Sequence, residues 1–431
     1  MGKGAGVWNA AQQRLGALGR PFRLLIASDA LTLLALMVGH VAVPWWIAHE
    51  GGAHHLALWA SLLALGSILA LPALSPLGDR LGKRMLITGG LVVMLLEALV
   101  LAGLAQAGIY RIGWIIALEL VGAIGIAAIM PATFSIVAEL LPPEQLSEGL
   151  AVQKSAQSLG RLFGPLLGGG LLAVSGTELA LWVHAALLLL AAVLAARIEA
   201  PVPTQGMAGA AHWWADLRAG LAAKWHIRLE RGWTFVSFLV MVFFGPAIGM
   251  LVPLKVQALG LSGGWLGACE AGLSAGMLAG SLGVSTALAS KLGRFRTSVG
   301  SIFCEGLGLA LIGLVRVPWA LVPLMGLVGL CISNVSLVGQ TQRMLAIPPH
   351  YRARMTSVNM MAFQVAGVLG PALAGLGLAA ASVHAVYLAF GVGLFLVGWG
   401  YFIVPGYRSF LNLPHDQASG YYGRTHPELF R

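Results

Sequence analysis

Long apolar stretches separated by short polar segments run through almost the whole chain. Twelve of them reach the roughly 20 residues that a helix needs to cross the hydrocarbon core of a bilayer. They lie at residues 22–47, 54–77, 85–108, 112–138, 151–174, 179–198, 233–257, 263–289, 297–316, 318–342, 355–380 and 383–405. None shows the ten-residue alternation of a membrane β-barrel strand. The pattern predicts an all-α integral membrane protein with twelve transmembrane helices.

Composition supports the membrane assignment. Hydrophobic residues make up 58% of the chain and charged residues 10%, whereas about 25% of a typical soluble domain is charged. The mean hydropathy is +0.84. A chain this apolar needs a lipid bilayer as its partner, and only helices or closed barrels satisfy their own backbone hydrogen bonds there.

The basic residues predict an orientation. If the N-terminus is cytoplasmic, 22 of the 26 Lys and Arg residues lie on the inner side. Arg111, Lys255 and Arg316 lie outside, and Arg161 alone falls within a span. The positive-inside rule then puts both termini in the cytoplasm of a multi-pass protein of the cell inner (plasma) membrane. The net charge of +10 reflects this topology and indicates no nucleic-acid partner, because the cations are spread over separate short loops.

No pattern in the chain predicts an enzyme or a cofactor. Phosphate-binding loops, nucleophile elbows and zinc-hydrolase motifs are absent from the sequence. Cys269, Cys304 and Cys331 lie within predicted spans, where they are expected to pack as small apolar residues. A group of His and Glu residues at 49–55 is the one alternative, a metal site, but its spacing favours a solvated loop.

The two halves of the chain repeat each other. Pro142-Pro143 precedes Gly164-Pro165 by 22 positions, and Pro348-Pro349 precedes Gly370-Pro371 by the same 22, at an offset of 206. Parallel repeats of this kind are typical of transporters with a binding site near the midplane, between the halves. We expect a cytoplasmic segment at 1–21, six-helix halves at 22–198 and 233–405, a cytoplasmic linker at 199–232 and a cytoplasmic tail at 406–431.

Two short motifs carry a family resemblance. The segment "DRLGKR" at 79–84, between spans two and three, resembles the signature loop of the major facilitator superfamily. The segment "GRLFGPLLGG" at 160–169 resembles the antiporter motif of that superfamily in span five. The longer stretches at 22–46 and 141–169 resemble the branch that contains the enterobactin exporter and macrolide efflux proteins. The resemblance implies the major facilitator fold, with two pseudo-symmetric halves.

The resemblance also implies roles for the motif residues. In the family, the signature loop biases the inward/outward equilibrium. The matching residues here are Asp79 as a latch, Gly82 as a tight turn, and Arg80, Lys83 and Arg84 as partners of nearby carboxylates. The simpler alternative is that the cations only set topology. The antiporter motif is represented by Gly160, Gly164, Pro165, Gly168 and Gly169. The first three glycines share a helix face that favours close helix packing, and Pro165 is expected to kink the helix.

Polar residues inside the spans are candidates for a substrate and proton cavity, because a buried charge in a membrane is costly. In this fold, spans one, four, seven and ten line the cavity. The candidate residues are Asp29, His40, Glu119, Arg161, Asn334 and Gln340. Glu97 and Glu305 are expected to be less well placed. The alternatives are structural ion pairs for the charged residues and ordinary packing for His40, Asn334 and Gln340.

These observations lead to a functional hypothesis. The chain is predicted to be a secondary active transporter, acting as a proton-coupled exporter of an amphipathic small molecule, a drug or a siderophore. It would work as a monomer, with no cofactor and with protons as the coupling ion. The alternatives are a lysophospholipid or metal-linked carrier of the same fold, or a non-transporting membrane scaffold or sensor.

Overall fold

A computed structural model describes residues 19–80, 82–199 and 213–430. Within these ranges the backbone is helical and forms no β-strand. The principal helices are α1 Arg20–Arg80, α2 Lys83–Gln106, α3 Ile112–Leu140, α4 Pro143–Ala196, α5 Trp213–His226, α6 Arg228–Gly249, α7 Leu251–Ala258, α8 Gly263–Ala279, α9 Ser285–Leu292, α10 Arg294–Leu314, α11 Pro318–Val335, α12 Thr341–Ala346, α13 Arg352–Ala380, α14 Val383–Gly398, α15 Gly400–Ile403, α16 Tyr407–Asn412, α17 His415–Ala418 and α18 Tyr421–Thr425. Five-residue π-helical turns at Gly280–Val284 and Ser336–Gln340 join α8 to α9 and α11 to α12.

Two of the helices are too long to cross a bilayer once. A straight helix of 61 residues, the length of α1, would extend about 90 Å at 1.5 Å per residue, against a hydrocarbon core of about 30 Å. α1 turns at Gly52 (φ 64°, ψ −163°) and α4 turns at Gly176 (φ 78°, ψ −168°). Side chains other than glycine are strained in this conformation. Each of these helices therefore supplies two spans.

The number of crossing segments is consistent with the twelve predicted spans. Ten helices in the described ranges are long and apolar enough to cross a membrane. Two of the ten, Arg20–Ile68 and Glu144–Ala196, contain the glycine turns and divide into two pieces each. The prediction of an all-α membrane protein is confirmed.

The described residues pack into two units. One, the N-terminal unit, contains residues up to Val43 and resumes at Leu69, and its apolar core includes Phe22, Leu91, Ile136 and Leu188. The other, the C-terminal unit, contains Pro44–Ile68 and the residues from α5 onward. Within it, the Ser61 hydroxyl donates to the carbonyl of Val368 at 3.2 Å.

The segment after the last span, predicted as a tail, folds onto the C-terminal unit. The backbone N–H of Gly420 donates to the carbonyl of Leu345 at 2.9 Å. The rings of Phe410 and Tyr422 stack with centroids 5.7 Å apart, and both side chains are buried. The segment from α16 to α18 therefore forms a cap over the ends of the neighbouring helices.

Candidate transport site

Asp29 lies on α1 at the contact with α4, and it is partly buried there. Its Oδ2 atom accepts hydrogen bonds from Gln153 Nε2 at 3.1 Å and Gln157 Nε2 at 2.8 Å. The two glutamines are four residues apart, so they lie on one face of α4. Sequence reasoning missed both of them, although their spacing and their place just before the antiporter motif were visible signals. The carboxylate is thus held by two neutral amides within the N-terminal unit.

The glycines of the antiporter motif continue the same helix contact. A Cβ atom built at Gly160 would lie 3.1 Å from Leu33 Cβ, and one at Gly164 would overlap Met37 Cβ. At Gly168 it would lie 3.2 Å from Val38 Cα. From Gly160 to Gly168 the contacts move along one face of α1 in the same chain direction as along α4. Glycine at these positions lets the two backbones approach closely. We call this contact the glycine seam.

The other residues of the motif lie in the same helix. Pro165 is inside α4, and both Pro165 and Gly169 are buried. The piece of α4 after Gly176 packs on α1 as well, where Ser28 Oγ donates to Ala191 O at 2.9 Å and His184 Nδ1 donates to Ala35 O at 2.7 Å. Along this piece, residues later in α4 contact residues earlier in α1, which is the opposite order to that of the glycine seam. The direction of α4 therefore reverses at Gly176.

The remaining candidates of the N-terminal unit are not all brought together. Glu119 on α3 lies close enough to Glu97 on α2 for their charges to interact. Glu97 is 6% exposed, and its Oε2 lies beside Gly122, one turn after Glu119. His40 on α1 and Arg161 on α4 have exposed side chains. Arg161 follows Gln157 by one turn, but the hydrogen bonds to Asp29 come from the glutamines.

The signature loop is held within the N-terminal unit. Lys83 Nζ pairs with Glu139 Oε1 at 2.5 Å, and Arg84 Nη2 donates to the carbonyl of Ala196. Gly82 has φ −58° and ψ 141°, a conformation open to any residue, so its own backbone does not require glycine. α1 ends at Arg80, and the side chains of Asp79 and Arg80 lie outside the described residues.

The C-terminal unit contains a cavity of about 240 Å³ between α6, α10, α11, α12, α13 and the residues around α15. Gln340, in the π-helical turn, lines it. Glu305 on α10 also lines it. π-Helical turns occur often at functional sites, so Gln340 stands at a favourable position for binding.

Asn334 is used in packing. Its Nδ2 donates to Ser301 Oγ at 2.9 Å, and its Oδ1 accepts from Ser285 Oγ at 2.6 Å. The side chain is 3% exposed and does not line the cavity. Asn334 therefore ties α9, α10 and α11 together, which agrees with the packing alternative.

A buried ion cluster lies beside the cavity, and sequence reasoning missed it. Glu230 on α6 is fully buried. Its carboxylate accepts from Arg343 Nε at 2.9 and 3.0 Å, from Lys224 Nζ at 2.9 Å and from the Tyr422 hydroxyl at 2.8 Å. The Thr234 hydroxyl accepts from Arg343 and Lys224 as well. We call these five residues the Glu230 cluster.

The cluster joins four parts of the C-terminal unit. Lys224 comes from α5, Glu230 from α6, Arg343 from α12 and Tyr422 from the cap. Burial lowers the pKa of Lys224 to about 8, although Glu230 acts in the opposite direction, so the amine is mostly charged at pH 7. Burial also raises the pKa of the Tyr422 hydroxyl well above its usual range, so it remains a donor.

The family model that matches this chain is that of the Major Facilitator Superfamily, over residues 26–333. The chain belongs to the major facilitator superfamily. Two solved structures agree with this fold. The nucleoside transporter NupG superimposes with a TM-score of 0.72 at 13% identity, covering 90% of this chain and 100% of that one. A bacterial homologue of the human lysosomal transporter Spinster gives a TM-score of 0.64 at 15% identity, covering 93% and 99%.

Curated relatives within the superfamily are drug-efflux proteins. The multidrug efflux pump Tap of Mycobacterium tuberculosis is 26% identical over 407 residues, which cover 88% of this chain and 92% of Tap. The methyl viologen resistance protein SmvA of Salmonella typhimurium is 37% identical over 153 residues, 34% of this chain. The chain spans only 28% of the length of SmvA. The predicted membership of the superfamily is confirmed, and the relatives belong to its drug-efflux branch.

Proposed function

We propose that this chain is a secondary active, proton-coupled exporter of amphipathic small molecules, a drug or a siderophore, that works by alternating access. The observation that carries the proposal is the glycine seam, with the embedded carboxylate of Asp29 at one end of it. Gly160 contacts α1 beside Ala30, the residue after Asp29. Because Asp29 lies at the close contact between α1 and α4, protonation of its carboxylate would change how these two helices pack. Proton binding would in this way be coupled to helix movement.

The relatives support a drug as the transported molecule. Tap is named a multidrug efflux pump, and its likeness covers most of both chains. We extend this role to the present chain as a proposal, with export from the cytoplasm across the inner membrane and both termini inside. It would act as a monomer, as a transporter and not as an enzyme. No feature of the described residues favours the lysophospholipid, metal-linked or scaffold alternatives.

Asp29 is our proposed proton carrier, with Glu119 as a second embedded carboxylate. We predict that Asp29→Asn abolishes uphill export and spares substrate binding, because asparagine keeps an acceptor for Gln157 but cannot exchange a proton. Glu119→Gln is expected to have a similar or additive effect. The measurement is pH-gradient-driven transport of ethidium by purified protein in sealed vesicles. Wild-type transport that ignores an imposed pH gradient would contradict proton coupling, and a poorly folded Asn variant would indicate a structural role.

A substitution at Asp79 tests whether the signature loop biases the inward/outward equilibrium. We predict that Asp79→Asn shifts the inward/outward equilibrium and reduces transport without preventing membrane insertion, because the loop keeps Arg80, Lys83 and Arg84 but loses its only anion. Accessibility of single engineered cysteines on the two membrane faces reports the equilibrium. Unchanged accessibility together with full transport would limit the loop to a role in topology.

A further inference from the structure

The cavity of the C-terminal unit contains a carboxylate that the proposed function does not use. Glu305 is 3% exposed and lines the cavity near the middle of α10. Among the residues that the structure describes, none forms an ion pair or hydrogen bond with it. A buried carboxylate without a partner is strongly unfavourable. Such a group is neutralised either by a proton or by a cationic ligand.

Among the described residues that line the same cavity, the one cation, Arg343, is already neutralised. Arg343 donates from Nε and Nη2 to Glu230, and its guanidinium lies 4.6 Å from the centre of the Trp233 ring. Lys224 contacts Glu230, Thr234 and Asn359, and it does not line the cavity. Among the described lining residues, Glu305 is thus the acidic group that could pair with a cation in the empty space.

The rest of the lining suits an organic cation. Trp233, Phe244, Phe363 and Tyr401 bring aromatic side chains to the wall, and Met241 and Met360 bring thioethers. Aromatic faces attract cations within about 6 Å of the ring centre, and methionine adapts its shape to apolar ligands. An inorganic divalent cation prefers several carboxylate ligands at short range, and no group of three or more His, Cys, Asp or Glu side chains that could hold one occurs among the described residues.

We propose that this cavity binds a small aromatic cation, with Glu305 as its counter-ion and the aromatic side chains around it. The volume of about 240 Å³ is below the 300–1,000 Å³ of common ligand pockets, so the ligand has one or two rings. The site lies wholly within the C-terminal unit. That such a cation is also exported rests on the proposed function, whereas its binding does not.

The experiment uses two ligands of one shape that differ in charge. Purified full-length protein is titrated by calorimetry with 1-methylquinolinium and with its neutral isostere 1-methylnaphthalene. We expect Glu305→Gln to weaken 1-methylquinolinium binding by about tenfold or more, a loss typical of a desolvated contact to a cation. Binding of 1-methylnaphthalene should be unchanged. Glu270→Gln, at another buried carboxylate of the same unit that lies outside the cavity lining, should bind both ligands like the wild type.

The unfolding temperature of each variant shows whether a loss of binding comes from the site or from a failure to fold. Glu305→Gln should unfold at the same or a higher temperature, because it replaces a buried carboxyl group that has no partner by a neutral amide of the same shape. Equal affinity of the wild type and Glu305→Gln for 1-methylquinolinium would overturn the site. So would a Glu305→Gln variant that loses the same affinity for both ligands. An equal loss of 1-methylquinolinium affinity in Glu270→Gln would overturn it as well. Vesicle export of ethidium by the wild type tests the proposed function separately. Charge-dependent binding without any export would retain the site and refute the exporter.

Discussion

Replacing Glu230 with glutamine is expected to lower the free energy of unfolding of this transporter by about 3–5 kcal/mol, the usual cost of breaking a buried ion pair. Lys224 and Arg343, which are 3% and 8% exposed, would then be buried without their anion. The expected result is a large drop in the unfolding temperature of the purified protein in detergent, measured by calorimetry. Most of this loss of stability comes from leaving two buried cations without an anion, and less of it comes from the missing hydrogen bonds.

Tyr422→Phe is the matched control, because it removes one hydrogen bond to the same carboxylate and leaves all three charges in place. Its cost is expected to be about 1–3 kcal/mol, as for a hydrogen bond to a charged group. If Glu230→Gln were no more destabilising than Tyr422→Phe, the cluster would contribute through geometry and not through charge. That outcome would contradict the prediction.

Replacing Gly164 with leucine is expected to abolish export, because α4 can no longer approach α1. A Cβ at this position already overlaps Met37 Cβ and lies 3.2 Å from Leu34 O. Overpacking of a tight contact commonly costs about 1–3 kcal/mol or forces the backbone apart. The measurement is ethidium export by sealed vesicles that contain equal amounts of each variant.

Gly103→Leu provides the comparison on another helix of the same unit. A Cβ at Gly103 meets nothing within 4 Å, and the residue is exposed on α2. This variant should be made and inserted like the wild type and should transport normally. Equal transport by both leucine variants would show that the close approach of α4 to α1 has no role in the transport cycle.

The spans and the motif were predictable from the sequence because both are local. Apolar length predicts a membrane helix at any position, and the face shared by Gly160, Gly164 and Gly168 follows from helical spacing. The Glu230 cluster was not predictable in the same way. Glu230 and Arg343 are 113 residues apart, and the positive-inside rule explained Lys224 and Arg343 as signals of topology. Pairing of this kind depends on how the helices fold together.

Glu305 shows the same limit. Its position within a span was evident, but whether its side chain meets a cavity or a neighbouring helix depends on the rotation of α10, which apolar length does not determine. Asn334 shows the opposite case, since its polar side chain in a span was a reasonable cavity candidate and two serines bind it instead. In each case the deciding contacts come from other helices.

The turn at Gly176 has a consequence for membrane insertion. A single residue separates the two pieces of α4. No polar loop lies between them that would allow each piece to insert into the membrane independently. The two must enter the bilayer together as a helical hairpin, and their insertion free energies add. Arg161 in the first piece costs about 2.5–3.5 kcal/mol near the bilayer centre. The Leu- and Ala-rich second piece, residues 177–196, offsets that cost, so an apolar span carries its charged neighbour into the membrane.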